Sequence, residues 1–267
     1  MSSKVSFKEM RFTEMGFKVV QIADTALNYQ PEDWLYILAN DIIQKYNYDS
    51  SHDLVHFNNV VNYGKEILIS IFLGTTDISF PLYNKINRVC KSEIPNLIEG
   101  LDNVISVRII LDACFCHDLI DSKYVDSNIM IEEIKKVFLS NGYRIEEWDI
   151  LCYLIQNISF SKQRQPNWKP NSVYELALNI VSDADKLDAY RIERIIAYQD
   201  TKYEHLPEEE RNEKTKKWLK TILVKRVLEY KNKWLKTKYA KCRSVDMHNR
   251  VEQYVKDNLE NVEMEEY

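Results

Sequence analysis

The chain has 267 residues and a formal net charge of −5, with 45% hydrophobic and 29% charged residues. This balance is typical of a globular protein, and it excludes a polyelectrolyte that binds nucleic acid through its overall charge. Five glycines and six prolines are too few for the many turns of an all-β fold. The composition therefore favours an all-α protein.

The sequence shows no targeting or membrane segment. No apolar run reaches the about 18 residues that a membrane span needs, and the charged N-terminal segment lacks the apolar core of a signal peptide. We therefore expect a cytoplasmic protein that does not bind membranes. The five cysteines are odd in number and include no CxxC pair, which favours reduced, buried thiols.

Hydrophobic periodicity predicts a series of helices. After an arm or short helix over residues 1–30, helices are expected over 31–47, 50–74, 103–119, 128–143 and 146–160. Ser50 or Ser51 is expected to cap the second helix, and the helix over 103–119 is apolar nearly all round, as expected of a central helix. Residues 75–102 form an irregular insertion and 162–172 a loop. Residues 173–199 form one long helix or two joined helices, and basic helices over 207–260 precede an acidic tail, 261–267. One domain over 31–260 is the simplest interpretation.

Three of the five histidines lie in two short segments that also carry aspartates, "SHDLVHF" (51–57) and "CFCHDLIDSK" (114–123). A third segment, "SDADKLDA" (182–189), places three aspartates in an otherwise apolar helix. Asp is a poor helix former and is rarely buried unless it is paired or bound to a metal. Imidazole and carboxylate ligands suit Mn²⁺, Mg²⁺, Co²⁺, Ni²⁺, Fe²⁺ or Zn²⁺. The pattern therefore predicts a divalent metal site built from three helices.

Four segments in this order, "SHDLVHFNNVVNYGKEI", "CFCHDLIDSKY", "LIQNISFSK" and "VSDADKLDAYRIERIIAY", resemble the HD-domain metal-dependent phosphohydrolases. The resemblance is closest to the bacterial branch that includes nucleotide pyrophosphohydrolases, and it covers roughly residues 35 to 255. It implies an all-α helical bundle, a single HD domain, with one divalent ion at its centre, Mn²⁺ in the first place. It also implies hydrolysis of nucleoside or deoxynucleoside triphosphates to monophosphate and pyrophosphate.

By this resemblance the metal ligands are His56, His117, Asp118 and Asp185. Asp121 matches the position of the family's candidate general acid or base. An ion held by the four ligands would activate a water molecule and neutralise charge on a phosphate group.

The resemblance also assigns residues around the metal. Lys123 matches a family lysine that is expected to contact phosphate and assist catalysis, and His52 and Lys162 are further candidates for substrate contact. Asp188 is expected to accept a hydrogen bond from a ligand histidine, and Asp183 to act as a cap or to pair with a basic residue. One departure concerns Asn59, since the family usually has Arg three residues after its first ligand histidine. This departure leaves the substrate preference open.

The basic stretch 214–243 interleaves Trp and Tyr with lysines, a composition that also suits nucleic-acid contact. Apolar residues recur in it at helical spacing, which instead favours an amphipathic helix with a solvated basic face; they are Trp218, Leu219, Ile222, Leu223, Val227 and Leu228. The expected partner is a nucleotide or another small phosphate compound rather than nucleic acid, and the insertion is a candidate contact for a homodimer. The alternatives are an HD-type nucleotidase or phosphodiesterase, and a non-catalytic module that binds nucleic acid or protein through its basic helical face.

Overall fold

The structure is a computed structural model that describes residues 23–49, 51–73 and 106–265. Within these ranges all regular secondary structure is helical, which confirms the all-α prediction. Residues 23–28 of the predicted N-terminal arm are helical. Residues 1–22, the whole insertion 75–102 and Ser50 lie outside the described residues.

In chain order the helices are α1 (Asp33–Tyr46), α2 (Leu54–Leu73), α3 (Val107–Cys116), α4 (Ser127–Ser140), α5 (Ile145–Asn157), α6 (Phe160–Gln163), α7 (Glu175–Asp188), α8 (Ile192–Lys202), α9 (Glu208–Ile222) and α10 (Lys238–Leu259). Two π-helical turns, Leu223–Val227 and Tyr230–Trp234, join α9 to α10. The stretch 173–199 forms two helices, one of its two predicted alternatives. The last helix, α10, begins at Lys238, inside the region 207–260 that was predicted to be helical.

The ends of α2 and α3 differ from the predicted ones in a way that positions the histidines. Ser51 does not cap α2; the cap is Asp53, whose Oδ1 accepts a hydrogen bond of 2.8 Å from the backbone N–H of His56. Helix α3 ends at Cys116, three residues before its predicted end, and His117 is its C-cap. His56 is therefore fixed in the first turn of α2, and Asp118 lies in the turn that follows α3.

The core is built around three of these helices. Helix α7 packs most extensively on α2, and α3 packs against both. All residues from Ile109 to Cys116 of α3 are buried, which confirms the prediction of a central helix. Its polar member, Asp112, accepts hydrogen bonds from the hydroxyls of Tyr29 and Tyr143, and burial raises its pKa to about 7. The arrangement brings the first turn of α2, the end of α3 and the last turns of α7 together.

The C-terminal basic stretch packs as the amphipathic prediction requires. Four of its six predicted apolar residues are buried, namely Leu219, Ile222, Leu223 and Val227. Tyr230 is also buried, and the ring of Trp234 contacts the ring of Phe160 edge-on at 4.9 Å. The stretch is held to the core by Asp183, whose carboxylate accepts backbone N–H groups of Lys236 and Thr237 at 3.0 and 2.7 Å. Asp183 was predicted to act as a cap or to pair with a basic residue; it binds the backbone just before α10, whose N-cap is Thr237.

No helix among the described residues combines the length and the apolar character that crossing a bilayer demands. The four described cysteines have free thiols; Cys114 and Cys116 are buried in α3 as predicted, whereas Cys152 is partly exposed and Cys242 is exposed. Cys90 lies outside the described residues.

Gly64 lies in α2 on the side that faces α3. A Cβ added there would be 2.7 Å from Cys114 Sγ and 3.2 Å from Leu111 Cδ2. We expect Gly64→Ala to lower the free energy of unfolding by about 1–3 kcal/mol, because overpacking outweighs the helix-propensity gain of about 1 kcal/mol. Urea denaturation measures this change.

The matched background for this test is Cys114→Ala, which removes the sulfur that the new methyl group meets. In that background Gly64→Ala is expected to be neutral or stabilising, since the remaining contacts, with Leu111 Cδ2 at 3.2 Å and the Cβ of residue 114 at 3.7 Å, are less close. An equal loss of stability in both backgrounds would contradict the close packing of α2 on α3 at this point.

Candidate metal centre

The four predicted ligands come together at the meeting point of α2, α3 and α7. His56 Nε2 lies 2.9 Å from His117 Nε2 and 3.1 Å from Asp118 Oδ2, and the last two atoms are 3.0 Å apart. Asp185 Oδ1 completes the group at 3.9 Å from His56 Nε2 and 3.6 Å from His117 Nε2. The histidine side chains are 1% and 0% exposed, and the aspartates 19% and 26%. The carboxylates therefore form the side of the group that opens to solvent.

Each histidine is oriented through its other ring nitrogen. His56 Nδ1 donates to Asp188 Oδ2 at 2.7 Å, which is the hydrogen bond predicted for Asp188. His117 Nδ1 donates to the backbone oxygen of Cys114 at 2.9 Å. Because both Nδ1 atoms carry the proton, both Nε2 lone pairs point into the group. Hydrogen bonds of this kind fix the tautomer and orientation of metal-binding histidines.

This arrangement fits a divalent cation. Ligand atoms that lie about 2.0–2.2 Å from one ion at angles near 90–110° are about 3.0–3.5 Å apart, close to the separations seen among His56, His117 and Asp118. Two lone pairs that face each other at 2.9 Å repel, and a cation bound to both nitrogens would remove this repulsion. The donor set of two imidazoles and two carboxylates suits Mn²⁺ and the other ions considered above.

The pKa values of these side chains also indicate that the group favours a positive charge at its centre. Burial and the charge of Arg194 lower the pKa of His56. Burial also opposes protonation of His117, but Asp118 and Asp185 outweigh it and raise its pKa to about 10. Burial acts to raise the pKa of Asp118, yet the histidines, His117 foremost, hold it well below its usual range. Without a bound cation, a second proton on the His117 imidazole supplies positive charge beside the two ionised carboxylates, and a bound cation would take the place of that proton.

Arg194 of α8 is a site residue that sequence reasoning missed. Its Nη2 lies 2.9 Å from His56 Nε2, its Nη1 lies 3.8 Å from Asp185 Oδ1, and its Nε donates to the backbone oxygen of Ser51 at 2.7 Å. The sequence held one signal for it. The arginine expected after the first ligand histidine is replaced by Asn59, and Arg194 supplies a guanidinium group from another helix.

His52 lies beside the ligands, on the open side of the site. Its Nε2 is 3.6 Å from Asp118 Oδ2, and its Nδ1 is 2.8 Å from Ser51 Oγ and 3.1 Å from the Tyr124 hydroxyl. Both of these hydroxyls donate to the carboxylate of Asp49. Burial acts to raise the pKa of Asp49, but hydrogen bonds from His52, Ser51 and Tyr124 outweigh it and hold that pKa below its usual range.

The remaining predicted residues lie around the opening. Asp121 offers an oxygen within 4.8 Å of ligand atoms of both His52 and Asp118. Lys123 Nζ is 3.2 Å from Asp49 Oδ2 and 3.9 Å from the centre of the Tyr198 ring, so it already has an anionic partner. These residues face the metal ligands from one side.

A cavity of 690 Å³ opens above the ligands. Its lining includes Asp118, Asp185 and His117, and also the aromatic side chains of Phe160, Tyr198, Trp218 and Tyr230. Its basic residues are Lys123, Lys162, Arg194 and Arg226. Lys162, predicted to contact substrate, donates from Nζ to the backbone oxygen of Gln156 at 3.0 Å. The volume lies within the range of small-molecule sites.

Comparison with protein-family models, with curated proteins and with solved structures finds no match for this chain. The functional argument therefore rests on the geometry of the site and on the motifs of the sequence.

Proposed function

We propose that the protein is a metal-dependent phosphohydrolase of the HD-domain type, which hydrolyses nucleoside or deoxynucleoside triphosphates to monophosphate and pyrophosphate. The observation that supports this most directly is the convergence of His56, His117, Asp118 and Asp185 at the floor of a cavity with basic walls. A divalent ion bound there would supply Lewis-acid stabilisation of a phosphate and activation of water.

The protein's own residues would hold the phosphate and orient it. Arg194 is fixed through its Nε by Ser51 O, which leaves its two Nη groups directed at the ligand atoms and the cavity floor. A guanidinium group in this place can bind two phosphate oxygens at once. Lys123 can add to this only by exchanging its contact with Asp49. Arg194 is therefore a candidate for phosphate binding beside the predicted Lys123, and each would exchange a present contact for the phosphate.

The aromatic wall supports a nucleotide rather than a bare phosphate compound. Trp218 and Tyr198 lie 5.4 Å apart with their rings inclined by 48°, and both line the cavity. Amphipathic rings of this kind stack on bases. The basic C-terminal stretch buries much of its apolar surface in the core, so a nucleic-acid-binding module is less well supported.

The test is a panel of nucleotides with Mn²⁺ in which pyrophosphate and orthophosphate are measured separately, with a chelator as control. We expect pyrophosphate from triphosphates, abolished by the chelator and restored by Mn²⁺. Orthophosphate from monophosphates would assign the protein to the nucleotidases, and cleavage of diesters to the phosphodiesterases. No release from any substrate, together with retention on DNA at physiological salt, would replace the enzyme with a binding module.

A further inference from the structure

Arg226 lines a part of the cavity that the phosphate contacts described above do not use. Its guanidinium carbon lies 5.1 Å from the centre of the Phe160 ring, and its Nε donates to the Tyr230 hydroxyl at 2.6 Å. Phe160 and Tyr230 are themselves in edge-on contact at 5.5 Å, and Tyr230 is buried. Two aromatic residues therefore hold the side chain of Arg226 in place against the cavity.

The backbone that carries Arg226 has an uncommon form. It consists of the two π-helical turns, Leu223–Val227 and Tyr230–Trp234, that join α9 to α10. Single π-helical turns are rare in proteins and are frequent at functional sites. Four residues of this region line the cavity, namely Ile222, Arg226, Val227 and Tyr230. The π-helical segment thus forms one wall of the cavity and supplies a cation to it.

Positive and negative charges are unevenly distributed around the cavity. Its described lining contains four basic residues and three carboxylates. The carboxylates all come from the segments that form the metal centre; they are Asp118, Asp121 and Asp185. The described lining residues from 155–162 and from 218–230 include Lys162 and Arg226 and no carboxylate. This part of the cavity is therefore suited to an anion.

Lys162 adds a second cation to the same part of the cavity. It lies two positions after Phe160, and its Nζ donates to the backbone oxygen of Gln156 at 3.0 Å. This partner is a neutral carbonyl group, and an ammonium group has three protons to donate. Lys162 can therefore bind an anion without first giving up a carboxylate.

We propose that Arg226 and Lys162 bind the two terminal phosphates of the nucleoside triphosphate, which leave as pyrophosphate. The proposal rests on the proposed function, since it takes the substrate to be a triphosphate with its α-phosphate at the metal centre. Guanidinium and ammonium groups both bind phosphate oxygens strongly. With the base on Tyr198 and Trp218 and the α-phosphate beside Arg194, the terminal phosphates have these two cations as partners.

This subsite gives the protein a means to select substrates by the length of the phosphate chain. In the proposed reaction the oxygen of water bonds to the α-phosphorus, and the bond from that phosphorus to the α,β-bridging oxygen breaks. The bonding electrons leave with pyrophosphate, and the proton released from the water passes to solvent. A nucleoside monophosphate has no phosphate that could reach Arg226 and Lys162 in this orientation. The two residues therefore favour triphosphates over monophosphates.

The experiment measures the affinity for inorganic pyrophosphate by isothermal titration with Mg²⁺ present, together with turnover of deoxynucleoside triphosphates with Mn²⁺. Arg226→Gln and Lys162→Gln are each expected to weaken pyrophosphate binding by about 10-fold or more, because each removes a charge-assisted contact. The kcat/KM for triphosphates should fall by a similar factor. Arg226→Lys keeps the charge and should retain most of the affinity. Since Lys162 is partly exposed, Lys162→Gln tests the subsite even if Arg226→Gln fails to fold.

Arg164→Gln is the matched control, because the Arg164 guanidinium also lies over the Phe160 ring, at 5.4 Å, but does not line the cavity. It should bind pyrophosphate as the wild type does. An equal loss of affinity in Arg164→Gln, or no loss in Arg226→Gln and Lys162→Gln, would overturn the subsite, and pyrophosphate release from triphosphates would still support the proposed function. Wild-type protein that binds pyrophosphate through Arg226 but releases none from triphosphates would overturn the proposed function and leave a polyphosphate-binding site.

Discussion

Asp118→Ala is expected to abolish both Mn²⁺ binding and turnover, with activity reduced by about 10³-fold or more. Asp118 Oδ2 lies within 3.0 to 3.6 Å of the Nε2 atoms of His117, His56 and His52, so it is the atom that the ligand groups share. Its loss removes one ligand oxygen and one negative charge from among three imidazoles, which weakens the attraction of the site for a cation. A metal that stabilises the transition state by several kcal/mol corresponds to a rate change of about this size.

The measurement pairs turnover at saturating Mn²⁺ with metal retained after gel filtration. Asp126→Ala is the matched control, because Asp126 is an exposed aspartate whose carboxylate caps α4 through the N–H groups of Asn128 and Ile129. Its loss should cost about 1 kcal/mol of stability without affecting the site. Metal binding and turnover near the wild-type level in Asp118→Ala would refute the proposed centre.

Much of the centre was predictable because its signals are local in sequence. The adjacent pair His117–Asp118, the spacing of "SHDLVHF" and the aspartates of "SDADKLDA" each mark a place where polar residues interrupt an apolar helix. The structure brings these three places together, and the hydrogen bond from His56 to Asp188 follows the prediction. The helical class follows from periodicity and from the scarcity of glycine and proline.

The parts that sequence reasoning missed depend on contacts between distant segments. Arg194 reaches His56 across 138 positions of the chain. Asp49 lies before the first motif and acts on His52 together with Tyr124, which is 72 positions from His52. Hydrophobic periodicity carries no information about such pairs, since it reports only which face of a helix is buried.

The positions of helix ends are also hard to predict from the sequence, because they depend on which hydrogen bonds the capping residues make. The N-cap of α10 is Thr237, and Asp183 of α7 holds the backbone there by accepting the N–H groups of Lys236 and Thr237, 53 and 54 positions away. The start of α2 involves a choice between neighbouring capping residues, Ser51 and Asp53. The Ser51 hydroxyl donates its hydrogen bond to Asp49. Asp53, and not Ser51, therefore caps α2.

Asp188→Ala is expected to weaken Mn²⁺ binding by about 10- to 100-fold while leaving all four proposed ligands in place. Asp188 is fully buried and accepts from His56 Nδ1 at 2.7 Å. Without it the imidazole of His56 is free to rotate or to adopt the other tautomer, which places a proton on the nitrogen that faces the ion. The substitution also removes the carboxylate that lies 3.3 Å from the Arg191 guanidinium and 3.7 Å from the Arg194 guanidinium.

The dissociation constant for Mn²⁺, measured by isothermal titration, distinguishes this positioning role from general destabilisation. Asp183→Asn is the matched control, because Asp183 is equally buried and lies on the same helix, but it holds α10 rather than a ligand histidine. It should lower the free energy of unfolding by about 1–3 kcal/mol with unchanged Mn²⁺ affinity. If both variants weaken the metal equally, the affinity follows the stability of α7, and the hydrogen bond to His56 has no specific role in binding the ion.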